Sequence, residues 1–337
     1  MIHKPGRIHE SRQLPTTAEH LEHDYAEDGV DRRGFLKCMA WAGTGMLWTV
    51  SGGVLGSKIL SPTGALAAEN PAGAKPDFSF VQISDTHIGF NKPANTDVAG
   101  TLKQAIAKIN ALPSAPDFIL HTGDLTHLSE PAEFDVLEEM LKSTRSGRIF
   151  YVPGEHDVIS DNGKEFRARH GKDAKGDGWF SFEQRGVHFI GLVNVMNIAE
   201  GGLGLLGEEQ LAWLKDDVSG LGASTPIVVF AHVPLWSIYP EWGWGTRDAE
   251  RALSLLKRFG SVTVLNGHIH QTLRKVEGNV TFHTATSTAF PQPAPGTAPK
   301  PGPMKVAPEI LPRVLGITEV SYRETSHSLA VVDTKLG

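Results

Sequence analysis

The stretch "FSFVQISDTH", Phe78 to His87, runs apolar for most of its length and then turns polar, and "TDVAGTLKQAIAKINAL", Thr96 to Leu112, follows it. The first segment reads as a buried strand. The second places Val98, Leu102, Ala105, Ile106 and Ile109 at helical spacing. A second apolar run, "DFILHTGDL" (Asp117 to Leu125), ends in Gly-Asp. A helix expected from Pro131, with Phe134, Leu137, Met140 and Leu141 on one face, then leads to a third run, "RIFYVPGEHD" (Arg148 to Asp157). Strand, helix, strand, helix, strand in that order predicts two βαβ units and a parallel sheet.

Downstream, "WFSFEQRGVHFIGLVN" predicts a hairpin turning at Arg185-Gly186, "GEEQLAWLKDDV" a helix, and "PIVVFAHVP" and "VTVLNGHIH" two further strands. "LRKVEGNVTFHTATST" predicts a second hairpin, turning at Gly278-Asn279. The Pro-rich stretch from Pro291 to Pro303 predicts an extended loop or flap, and "GITEVSYRE" and "SLAVVDT" close the chain as strands. No internal repeat is visible.

Each run expected to lie parallel ends in a cluster containing Asp or His: Asp85 with His87, Asp124, His156 with Asp157, His232, and His268 with His270. Ligands in open α/β sheets sit beyond the carboxyl ends of the strands, so these five clusters are expected to converge. One histidine after a strand is more often structural than functional; five such clusters at equivalent positions are hard to explain that way.

The order and spacing of these clusters resemble the calcineurin-like metallophosphoesterases. Their motifs appear here as "DTH" (85–87), "GD" (123–124), "GEHD" (154–157), "AHVP" (231–234) and "GHIH" (267–270). "GDLTH" and "STAFPQP" are similar to the branch holding cyclic-nucleotide and glycerophosphodiester phosphodiesterases. The resemblance covers nearly all of residues 78–290 and implies a four-layer α/β/β/α sandwich over a domain of residues 78–337. It implies two metal ions, from Mn, Fe and Zn: one held by Asp85, His87 and His270, a second by His232, His268 and Glu155, with Asp124 bridging. Such a pair aligns a hydroxide for attack on phosphorus. His156 would stabilise developing charge or protonate the leaving oxygen, and Asp157 would orient its ring. The implied activity is hydrolysis of a phosphate ester, a diester rather than a monoester. The competing reading is a protein that binds metals and a phosphate ligand without turnover.

Glu155 stands where the family usually carries asparagine. It keeps an oxygen ligand, loses a donor and adds a negative charge. Three consequences stay open: a more highly charged ion such as ferric iron, a preference for singly charged diesters, or a centre tuned away from fast hydrolysis. Among the other histidines, His121, His127 and His283 are candidates for lining or supporting the site, whereas His170, His188 and His327 read as surface or core. Trp236, Tyr239, Trp242 and Trp244 form an aromatic loop that either lines the substrate mouth or packs as a cap.

Outward from this core, residues 1–67 read as a targeting segment. "DRRGFLK" (Asp31 to Lys37) places paired arginines before an apolar run, Cys38 to Leu60, and small residues follow at Ala65 and Ala67. That order predicts a twin-arginine signal peptide, the translocation machinery as a partner and a periplasmic or otherwise exported product. An uncleaved membrane anchor is the rival, weakened by Lys58, so no stable anchor is expected. Residues 68–77 form a linker. Cleavage would remove Cys38, the single cysteine, leaving no disulfide and no thiolate ligand. Hydrophobic residues at 40% and a net charge of −6 fit a globular protein and argue against a nucleic-acid coat.

Overall fold

The computed structural model describes residues 76–324 and 328–337, together with the backbone of two upstream strands, β1 (Gly45–Ser51) and β2 (Val54–Leu60), which pair antiparallel with each other. Apart from these two strands, the expected signal peptide and most of the linker lie outside the described residues, as does His327. Among the described residues no helix is long and apolar enough to cross a membrane.

The first half of the domain is built from β3 (Phe78–Ile83), α1 (Val98–Asn110), β4 (Phe118–His121), α2 (Pro131–Leu141) and β5 (Ile149–Tyr151), with β3, β4 and β5 parallel. Helix α1 starts where Asp97 accepts a hydrogen bond from Gly100 N at 2.8 Å, and it buries the five apolar residues expected from their spacing, together with Thr101. α3 (Lys164–His170) begins on Asp161, whose carboxylate accepts from Lys164 N and Glu165 N.

The second half runs β6 (Phe180–Gln184), β7 (Val187–Gly191), α4 (Glu208–Ser219), β8 (Ile227–Phe230), α5 (Ala249–Leu256), β9 (Val262–Asn266), β10 (Arg274–Glu277) and β11 (Val280–Thr284). Both predicted hairpins are present: Gln184 pairs with Val187, and Glu277 with Val280. After the one-turn α6 (Leu311–Val314), β12 (Gly316–Arg323) returns to pair antiparallel with β3, and β13 (Ser328–Lys335) pairs with β12. The sheets are therefore β13-β12-β3-β4-β5 and β10-β11-β9-β8-β7-β6.

Strand alternation separates three apolar clusters, and these define four layers. Val81, Ile83 and Ile119 face α1 and α2; Ile190, Val229 and Val264 face α4 and α5. Between the sheets, Phe80 and Phe118 stack at 4.9 Å and Phe189 meets both edge-on at 5.5 and 5.4 Å. Burying each such ring contributes about 1.5–3 kcal/mol, so this layer anchors the sandwich. At its upper end the packing turns polar. Gln82 Nε2 donates to Thr122 Oγ1 beyond the neighbouring strand of its own sheet (3.0 Å) and across the gap to Asn266 O (3.1 Å), while Asn266 Nδ2 donates to Ala231 O (2.8 Å). This network fixes the two sheets to each other directly beneath the strand ends.

Candidate metal centre

All five polar clusters lie at the carboxyl ends of β3, β4, β5, β8 and β9, and parallel pairing within each sheet brings those ends to one side. The loops from β3 and β4 run side by side, with Asp85 N bonded to Gly123 O and His87 N to Asp124 O, both at 3.0 Å. The second sheet interlocks with the first: His268 N donates to Asp85 Oδ1 at 3.1 Å, and His232 Nδ1 donates to Thr122 O at 2.7 Å.

Two glycines are dictated by this crowding. Gly123 has φ +96°, and a Cβ there would lie 2.7 Å from Gly154 N; at Gly154 a Cβ would fall 2.7 Å from Asp124 Cγ. Strain is concentrated at the same loops. Asp85 (φ 55°), His87 (41°), Asp124 (52°), His268 (70°) and His270 (57°) supply five of the eight described non-glycine residues with left-handed backbone.

The inward-facing atoms form two adjoining sets. Asp85, His87, Asp124 and His270 make one, with His87 Nε2 3.3 Å from His270 Nε2 and His270 Nε2 3.3 Å from Asp85 Oδ1. Glu155, His232 and His268 make the other: Glu155 Oε2 lies 2.9 Å from His232 Nε2, and Oε1 lies 3.0 Å from His268 Nδ1. Glu155 thus turns into the site. Asp124 Oδ2 stands between the sets, 3.4 Å from both His87 Nε2 and His232 Nε2.

This donor set fits cations. Asp85 Oδ2, Glu155 Oε2, His232 Nε2 and both ring nitrogens of His268 are buried without a hydrogen-bond partner, although several lie close together. Buried polar atoms left in this way are costly unless something else satisfies them. The electrostatics agree. Burial opposes charge on Glu155, but His268 and His232 outweigh it and hold the carboxyl well below its usual range. Burial likewise disfavours protonation of His232, yet Asp124 and Glu155 drive its pKa well above normal. His87 is pushed well below, by burial and by neighbouring imidazoles. Oxygen and imidazole donors without a thiolate suit Mn, Fe or Zn.

His156 borders both sets. Its backbone N–H donates to Asp124 Oδ1 at 2.9 Å and its Nδ1–H to the carbonyl of His127 at 2.7 Å, which leaves Nε2 free. The ring of His127 stacks on it at 4.8 Å and 19°. The orienting role expected of Asp157 is corrected by this geometry. Asp157 does not touch the His156 ring; it is fully buried and accepts hydrogen bonds from Leu125 N (3.0 Å), Thr126 N (2.8 Å), Thr126 Oγ1 (2.9 Å) and Gly154 N (2.8 Å). It fastens the loop after Asp124 to the loop before Glu155. Burial and the neighbouring Asp124 push its carboxyl up to about 7 against the pull of those backbone N–H groups.

The remaining histidines separate clearly. His121 is buried behind the site, 3.0 Å from Thr86 Oγ1, with its pKa lowered by burial to about 3. His283 is not at the pocket; it pairs with Asp333 between the sheet edges. His188 is held by Glu183 and Asp217, and His170 stacks on Tyr151 at 4.1 Å. In the aromatic loop Trp244 is buried and Trp236 packs on Phe282 in the helix-facing core, so both belong to a cap, while Tyr239 and Trp242 stay half-buried. Sequence reasoning missed Phe290, which stacks on His87 at 4.7 Å and whose carbonyl receives His270 Nδ1–H, and Gln292, which donates to His268 O at 2.8 Å. Both fall in "STAFPQP" (287–293) at the start of the Pro-rich loop, a stretch read as a family-branch feature and a loop or flap but given no part in the centre.

A family model described as calcineurin-like phosphoesterase matches residues 78–272, a span containing every residue of the two sets. The chain belongs to the calcineurin-like phosphoesterase family. The domain is therefore a metallophosphoesterase on an α/β sandwich of the metallo-dependent phosphatase kind. This calcineurin-like chain is 25% identical to a 3',5'-cyclic-nucleotide phosphodiesterase of Nostoc over 218 residues, 63% of the chain and 79% of the relative. It is 25% identical to a glycerophosphodiester phosphodiesterase of Enterobacter lignolyticus over 264 residues, 74% of the chain and 90% of the relative. A dimetal phosphatase from Danio rerio shares the fold with a TM-score of 0.58 at 14% identity, covering 78% of this chain and 98% of its own.

Proposed function

We propose that the protein hydrolyses phosphodiesters at a binuclear metal centre. The observation that carries this reading is Asp124 Oδ2, equidistant at 3.4 Å from an imidazole of each set, where one carboxylate oxygen can serve two ions. Asp85, His87 and His270 would hold one ion, and Glu155, His232 and His268 the other. Such a pair, when bound, supplies Lewis acidity toward phosphoryl oxygens and an acidified water.

The chain's own residues do the rest. Carbonyl acceptors at Thr122 and Phe290 fix His232 and His270 with Nε2 inward. His156 presents Nε2 to the same space, where it holds the proton that passes to the departing oxygen. Phe290 and Phe90, packed at 4.3 Å, wall off water behind His87. The relatives named as phosphodiesterases support a diester rather than a monoester. Export through the twin-arginine machinery is part of the proposal, supported by "DRRGFLK" ahead of the apolar run Cys38 to Leu60.

The deciding assay is hydrolysis of a chromogenic phosphodiester by the manganese-loaded protein. Turnover should require metal and fall roughly 10²-fold or more in His156→Ala. Full metal loading without turnover of any diester would refute the proposal.

A further inference from the structure

Glu155 separates this centre from one built with an amide at the same place, and its carboxylate faces both His232 and His268. Its ion-pair partners among the described residues are imidazoles. Asp85 and Asp124 are already buried beside it. Whatever the charge of the ions, the carboxylate makes the centre one unit more negative than an amide would.

The reaction itself changes charge by one unit. In diester hydrolysis a bond forms from water oxygen to phosphorus and the bond to the departing alcohol breaks. One water proton goes to the departing oxygen. The other is lost to solvent above the second phosphate pKa, near 6, so a monoanion becomes a dianion. We infer that Glu155 is a charge-class filter which lets the site hold a singly charged diester while rejecting the doubly charged monoester it produces.

This rests on the phosphodiesterase reading and deepens it, because hydrolysis should stop at the monoester and product should leave readily. The scale follows from Coulomb's law. One unit charge roughly 5 Å from a bound monoanion, at an effective dielectric of about 20, changes affinity by about 10²-fold, and partial exposure of the carboxylate reduces this to roughly tenfold. A dianion responds as the square of that factor.

The test compares the manganese-saturated full chain with Glu155→Gln and Glu155→Asp at pH 8, each checked for two equivalents of metal by mass spectrometry. Calorimetry would measure binding of inorganic phosphate, a dianion at that pH, and of dimethyl phosphate, a monoanion. Glu155→Gln should tighten phosphate binding about 10²-fold and dimethyl phosphate about tenfold, while Glu155→Asp stays within about threefold of the parent for both. Equal shifts for the two anions, no shift, or a Glu155→Asp result matching Glu155→Gln would overturn the filter. A parent protein that turns over no diester would instead sink the function proposed above, and the binding comparison would still decide the role of Glu155.

Discussion

Replacing Asp157 by alanine should damage the centre without touching a metal ligand or the His156 ring. The carboxylate takes four donors, three of them backbone N–H groups, at 2.8 to 3.0 Å, in a fully buried position. Stranding a buried donor costs about 1–3 kcal/mol; at the low end of that range, four give about 4 kcal/mol. For a domain of this size each kcal/mol lowers Tm by about 2–4 °C, so Asp157→Ala should melt roughly 8–16 °C below the parent. Leu125 and Thr126 follow Asp124 directly, and Gly154 precedes Glu155, so both loops should loosen together. Manganese affinity should fall by about 10- to 100-fold, the usual cost of removing a group that supports metal ligands. Differential scanning fluorimetry and manganese titration measure the two effects. If activity collapsed while Tm and metal affinity stayed at parental values, the stapling argument would be wrong and a direct action of Asp157 on His156 would have to be restored.

Chelation should lower Tm and added manganese should restore it, because at a hundredfold excess over Kd a bound ion contributes about 2.7 kcal/mol; an unchanged Tm after proven metal loss would argue against a resident centre. Gly154→Ala drives a methyl group into the Asp124 carboxylate, and activity should drop at least about 10²-fold, which a steady-state assay would show. Asp333 gives a pH signature away from the site. Burial alone would raise its carboxyl, but His283, Thr318 and Arg274 more than reverse this and lower it to about 2. Its contribution is therefore complete above the unfolded value near 3.8 and is lost as pH falls through about 2. Asp333→Asn should cost up to about 2 kcal/mol at pH 7, with the gap closing between pH 4 and pH 2; denaturation curves showing a constant gap down to pH 2 would contradict this.

The strands and both hairpins could be read from the chain because period and turn chemistry are local: Arg185-Gly186 and Gly278-Asn279 sit where the backbone reverses. Helices α3 and α6 gave no such signal, and α5 was not expected although Ala249, Ala252, Leu253 and Leu256 recur at helical spacing. α3 buries only Phe166 and α6 is a single turn, so tertiary packing rather than pattern decides those two, while α5 is short and its buried face is half alanine, which weakens the contrast with its surroundings. The site was legible as residue types at strand ends, since function there needs particular atoms. The role of Asp157 was not, because three of its four partners are backbone N–H groups that carry no side-chain signature. Phe290 and Gln292 stayed hidden for another reason: they reach the centre from a distant segment, through contacts made only after both sheets have closed.

The left-handed backbone at Asp85, His87, Asp124, His268 and His270 also bears on the order of folding. Each such residue costs about 1–2 kcal/mol relative to ordinary geometry, and three of the five, Asp85, His87 and His268, also bury a polar atom that finds no hydrogen-bond partner within the protein. The expected consequence is that the sheets and the phenylalanine layer between them form first and the centre last, which hydrogen-exchange labelling during refolding would check through earlier protection of the Phe80 and Phe118 amides than of those at His87 and His268. An ion arriving at that stage meets donors already set in place, and it acts as a latch on a finished scaffold rather than as a nucleus for folding.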